Sequence, residues 1–222
     1  MSLHSRFADR ARADEGLSLI ELLVAMGVLS VVMVIVTNLF LTVVATTQAA
    51  NTARSAVGQA GNAMDEITRV VRLGTPNAVS GSTTPAPAVV AGTPTALTVL
   101  SYVDTTSAAP LPTRVAFSLD SGVLTETRTA FTASGSLAVI TSTQTTRTVA
   151  SGLTSIAFAY ADSSGTALTP SGTGLSDPQR SRVTSVTVTV TVPNRSGRTD
   201  DPIVLSNTVL LTNVALAQRE NS

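Results

Sequence analysis

The sequence predicts an α+β chain: a long N-terminal α-helix, membrane-spanning in its first half and amphipathic in its second, packed on a C-terminal antiparallel β domain. Three observations predict this class. An uncharged apolar run of membrane length follows a short polar start. A 3-4-3-4 apolar spacing then continues the helix, and beyond a Pro- and Gly-rich break the spacing changes to two.

The polar start covers residues 1–16 and holds His4, Arg6, Asp9, Arg10, Arg12, Asp14 and Glu15. Its arginines are offset by as many acids. From Leu22 to Ala53 there is no charged residue, and Leu22 to Val36 is almost wholly apolar. A bilayer core needs about 20 apolar residues as helix, so residues 17–45 are long enough to span. A secretory signal peptide fits poorly, because its apolar region is roughly 7–15 residues long and follows a positive start.

Helical periodicity continues over 46–74. Val57, Ala60, Met64, Ile67 and Val71 fall on one helix face. Asp65 stands four residues before Arg69, an orientation that supports a helix. Glu66-Ile-Thr-Arg69-Val-Val-Arg72 closes it, and Leu73-Gly74-Thr75-Pro76 supplies a glycine stop with proline beyond. A helix from Leu17 to Leu73 would run roughly 85 Å at ~1.5 Å per residue. That exceeds any bilayer, so such a helix needs partners along its length.

Residues 75–95, rich in Pro, Thr, Ala, Ser and Gly, read as a linker or loop. The β domain then occupies 96–222. Strands are expected over Leu97–Val103, Thr113–Leu119 and Val123–Arg128, the last two joined as a hairpin through Asp120-Ser-Gly122. Leu153–Tyr160 follows, turned by Asp162-Ser-Ser-Gly165. The clearest alternation is Arg182–Val192, with valine on one face and Thr or Ser on the other. Ile203–Val214 completes the set.

Composition narrows the chemistry. Of 222 residues 13% are charged and 3% aromatic, with 14 basic against 14 acidic; this balance does not point to nucleic acid. Every basic residue other than histidine is arginine, which excludes Schiff-base lysine chemistry and a P-loop lysine. Cysteine is absent, so there are no disulfides or thiol nucleophiles. The single histidine, His4, lies in the polar start, leaving neither a Ser-His-Asp triad nor a histidine metal site in the β domain. Asp200-Asp201 beside Asn194 lack the spacing of a calcium loop and read as a solvated loop. Asn194-Arg-Ser196 is a formal glycosylation sequon, and Leu111-Pro-Thr-Arg114 matches only the start of a sortase motif. No catalytic residue, cofactor or metal is expected, and no enzyme.

The informative constellation is Glu15-Gly16-Leu17-Ser18-Leu19-Ile20-Glu21-Leu22-Leu23-Val24-Ala25-Met26. A carboxylate in a membrane helix is expensive, about 2.5–3.5 kcal/mol at the bilayer centre and less near an end. This segment resembles the signal of type IV prepilins and type II secretion pseudopilins. The resemblance implies that residues 1–16 are a leader, cut by a membrane prepilin peptidase between Gly16 and Leu17. Leu17 would then be N-methylated, and Glu21 becomes the fifth residue of the mature chain. Leu17 departs from the phenylalanine usual in the family, and Ser18 from its common threonine. The freed amine at Leu17 is a cation with an ordinary pKa near 8, and methylation keeps its charge. Glu21 of one subunit would pair with that amine on its neighbour and set axial register.

Further along, Gly152-Leu-Thr-Ser-Ile-Ala-Phe-Ala-Tyr160-Ala-Asp162-Ser-Ser-Gly165 and Arg182-Val-Thr-Ser-Val are similar to the J-class minor pseudopilins. Glu21 argues against the K class, which typically lacks that glutamate. The implied role is a minor pilin or pseudopilin that initiates or caps a filament. Its implied partners are the prepilin peptidase, other minor subunits, a major pilin and the inner-membrane assembly platform. The implied location is the inner membrane, single-pass, with the C-terminal domain extracytoplasmic. Two rivals stay open. One is a type IV pilus or DNA-uptake pseudopilus in place of a secretion system. The other is a signal-anchored extracytoplasmic binding protein or adhesin that keeps residues 1–16.

Overall fold

The computed structural model describes residues 18–82, 84–103, 110–135, 137–194 and 201–214. The chain divides into two units, Met1–Gln48 and Ala49–Ser222. Helix α1 (Leu19–Arg72) begins in the first and ends in the second.

In the first unit every described residue belongs to α1 except Ser18, whose carbonyl accepts the N–H groups of Glu21 at 2.9 Å and Leu22 at 3.1 Å. Apart from half-buried Val44, the apolar side chains here are exposed, Leu19 by 82%.

The second unit is an α+β domain built from two antiparallel sheets. One runs β1 (Val89–Gly92), β2 (Ala96–Ser101), β3 (Thr113–Asp120), β4 (Val123–Ser134) and β5 (Leu137–Ser151), in that order. The other is ordered β7 (Ala167–Leu168), β6 (Ser155–Ala161), β8 (Ser185–Val192) and β9 (Ile203–Leu210). A short helix, α2 (Asp177–Arg182), precedes β8.

The pattern of burial explains why the layers meet. On α1, Ala60, Ala63, Met64, Ile67, Val70 and Val71 are buried, following the 3.6-residue period of a helix face. On β8 the burial alternates strictly, with Val186, Val188, Val190 and Val192 inward. These side chains join Val99, Val115, Phe117 and Leu124 of the first sheet and Ile156, Phe158 and Tyr160 of β6 in one core. At the end of α1, Ser101 donates from Oγ to the Val70 carbonyl at 2.9 Å, pinning the last turn to β2.

The β3–β4 hairpin turns through Ser121 (φ 49°) and Gly122 (φ 78°), with Asp120 paired to Val123. Both central residues are left-handed, as a two-residue turn that follows strand twist requires. The expected face of α1 is present with one change: Val57 is 41% exposed. The segment 75–95 is more ordered than a linker. Val89–Gly92 pairs with β2, and isolated bridges join Gly74 to Ser101, Asn77 to Ala86 and Val79 to Ala138. Val79 and Ala86 pack with Leu100, Phe131 and Ala138 in a second, smaller core. Ala88 and Val89 are buried in the main core, within a composition that otherwise reads as coil.

Candidate functional site

Glu21 occupies the first turn of α1, where the helix dipole favours a negative charge. It is exposed, and so are the apolar side chains that follow it, including Leu22, Leu23, Val24, Met26, Val28 and Leu29. The most apolar 18-residue window of α1 has a mean hydropathy of 2.8 and none of it is buried. Water does not tolerate so continuous an apolar surface, so this helix requires lipid or other chains around it. Several of its hydroxyls are turned back on the helix. Ser30 donates to the Met26 carbonyl at 2.8 Å, Thr42 to Asn38 at 2.9 Å and Thr47 to Val43 at 2.8 Å. That removes donors which would otherwise be unsatisfied in an apolar surrounding. Gly16 and Leu17, the expected cleavage and methylation positions, lie outside the described residues, as do His4 and Asp200.

The second unit holds an ionic cluster that the sequence does not announce. Glu126 on β4 is completely buried. It is paired with Arg128 through that residue's Nε, and with Arg147 of β5 at 2.5 Å. Glu66 on α1 accepts Arg69 at 2.5 Å, Arg147 at 2.7 Å and Arg128 at 3.3 Å. Arg69 therefore takes Glu66, one turn away, in preference to the expected Asp65. The Arg69 guanidinium beside it, with Arg147, holds the Glu66 carboxyl down at about 2 against the opposing effect of burial. Arg69 is raised in turn by Glu66. The cluster fastens the last turns of α1 to the β4–β5 hairpin. Glu126 and Arg128 stand two apart on one strand face, which is legible. Arg147 sits in a Thr-rich stretch with no strand signal, so the pairing was not.

Asp162 works as the turn-former the sequence suggests. Its Oδ1 accepts the Ser164 N–H at 3.0 Å, the Ser164 hydroxyl at 2.7 Å and the Thr166 N–H at 3.0 Å. Arg182 reaches its other oxygen at 2.5 Å. Ser164 leads in lowering the Asp162 pKa. Among the described residues no group of three or more His, Cys, Asp or Glu is placed to hold a metal.

Residues 11–37 match the family model described as the prokaryotic N-terminal methylation motif. That range contains Gly16, Leu17 and Glu21, so the chain carries a methylation-type N-terminus. The match stops within α1 and does not reach the β domain. Among solved structures, the chain is similar to one in the crystal structure of the GspK-GspI-GspJ complex from the enterotoxigenic Escherichia coli type 2 secretion system. The identity is 16%, covering 70% of this chain and 97% of that one, with a TM-score of 0.43. No curated protein matches the chain.

Proposed function

We propose that the chain is a minor pilin or pseudopilin, a structural and non-enzymatic subunit of a type II secretion pseudopilus or type IV pilus. The observation that carries this reading is Glu21 at the head of an exposed, uncharged apolar helix, inside a matched N-terminal methylation motif. A prepilin peptidase cuts between Gly16 and Leu17, and Leu17 is methylated on its new amine. The apolar part of α1 resides in the cytoplasmic membrane before assembly and in the filament core afterwards. The β domain faces outward. Other minor subunits, a major pilin and the inner-membrane assembly platform are its partners, and a J-class role at filament initiation or the tip fits the later strands.

Glu21 supplies the register. In an apolar core its charge is costly unless paired, and a neighbouring subunit's methylated amine is the complementary cation. The matching experiment is Glu21→Ala, assayed by membrane fractionation and by recovery in sheared filaments. The variant is expected to insert and fold normally while its recovery in filaments falls at least tenfold. Unchanged recovery would remove Glu21 from assembly.

A further inference from the structure

An open cavity of about 230 Å³ lies beside the ionic cluster, lined by Val103, Thr113, Arg128, Ala130, Thr143 and Thr145. Arg128 and Thr145 are register partners on β4 and β5. Thr143 stands two residues from Thr145, on the same strand face. Among the described residues none of the three threonine hydroxyls has a partner, in contrast to cross-strand pairs such as Thr127 with Thr146 and Thr187 with Thr208. Arg128 spends Nε on Glu126 and Nη2 on Glu66. Its remaining terminal nitrogen is uncommitted among those residues, and the side chain is 30% exposed.

The charge count favours an anion. Arg69, Arg128 and Arg147 face Glu66 and Glu126, three cations against two anions, leaving one positive charge over. A guanidinium edge with hydroxyl donors around it matches a carboxylate, which accepts at two oxygens. Val103 and Ala130 provide apolar wall for a short methylene stem. The volume falls below the ~300 Å³ at which small-molecule sites begin, so the cavity suits one side chain better than a whole metabolite.

We propose that this cavity receives the carboxylate of an aspartate or glutamate side chain presented by a neighbouring polypeptide. The source in a neighbour rests on the reading that the chain works beside other subunits. Charge complementarity selects the residue type, and the threonines select the carboxylate over a bulkier anion. The nearest rival within the chain is Asp104, adjacent in sequence to Val103.

The test uses the full chain in detergent micelles, with threonine methyl NMR as the readout. The probes are N-acetyl-glutamate α-amide and its uncharged glutamine counterpart. The glutamate probe is expected to shift the Thr113, Thr143 and Thr145 methyls saturably, and the glutamine probe to leave them unmoved. Arg128→Gln should abolish the shift. Because that change also strips a partner from buried Glu126, the double variant Thr143→Val/Thr145→Val, which leaves the ionic cluster intact, serves as the second arm. It should weaken the probe at least tenfold, read on Thr113. No saturable shift, an equal response to both probes, or undiminished binding in the double variant would overturn the proposal. So would saturable binding that appears only in Asp104→Asn, since the chain's own aspartate would then fill the cavity. No filament enters this experiment, so its outcome is separate from processing at Gly16.

Discussion

Arg128→Gln is expected to destabilise the β domain by about 2–4 kcal/mol. Glu126 is completely buried, and Arg128 is one of only two cations paired with it among the described residues. Removing one partner of a buried ion pair costs about 3–5 kcal/mol, because a desolvated charge is left behind. Two features reduce that figure here. Arg147 still reaches Glu126, and Arg128 is 30% exposed, so water can approach the gap. For a domain of this size, each kcal/mol moves the thermal midpoint by about 2–4 °C, giving a drop of roughly 4–16 °C. The assay is thermal unfolding of the full chain in detergent, followed by far-ultraviolet circular dichroism. The companion variant Glu126→Leu/Arg128→Leu removes both charges and keeps comparable volume. It should recover most of the loss, because no unpaired charge then stays buried. A single variant within about 0.5 kcal/mol of wild type, or a double variant as unstable as the single, would refute the reasoning.

Two further outcomes follow from the same domain. The Glu66 carboxyl is depressed from 4.5 to about 2 in the folded chain, so its contribution is complete above pH 4.5 and is lost as pH falls through about 2. Partial exposure limits it to about 1–2 kcal/mol; urea titrations of Glu66→Gln and wild type should converge over that window, and a constant gap between them would contradict it. At Gly92 an added Cβ would stand 2.7 Å from Cζ of Tyr160 and 3.0 Å from Leu175. The Tyr160 hydroxyl is tied to the Thr93 carbonyl at 2.8 Å and cannot easily withdraw, so Gly92→Ala should cost about 1–3 kcal/mol in the same titration.

What the sequence made legible depended on whether a local pattern coincided with a single burial direction. The valines of β8 alternate because one face is core and the other is open, so the strand could be read residue by residue. The helix face from Ala60 to Val71 was equally clear. Leu137–Ser151 failed this test: most of its residues are exposed on both faces, so selection for a period of two is weak and threonine fills it. Val89–Gly92 is four residues long and lies among prolines, too short for any period to emerge. Helix α2 is a turn and a half, too short for a helical period to show; its start rests on Ser176, whose N–H donates to the Gln179 side chain at 2.9 Å, and it takes Arg182, the residue at which the expected strand Arg182–Val192 begins. Glu126 could be seen to share a face with Arg128, yet its burial beside Arg147, which it shares with Glu66, required knowing which strand comes next to β4. Glu21, by contrast, stood out because a single charge interrupts an otherwise uncharged surface.

The mature N-terminus tests the central claim most directly. When the chain is produced together with a prepilin peptidase, intact mass and N-terminal sequencing should give a protein beginning at Leu17, one methyl heavier than the unmodified chain. A native product that retains residues 1–16 has no amine at Leu17 to meet Glu21, and would contradict the account.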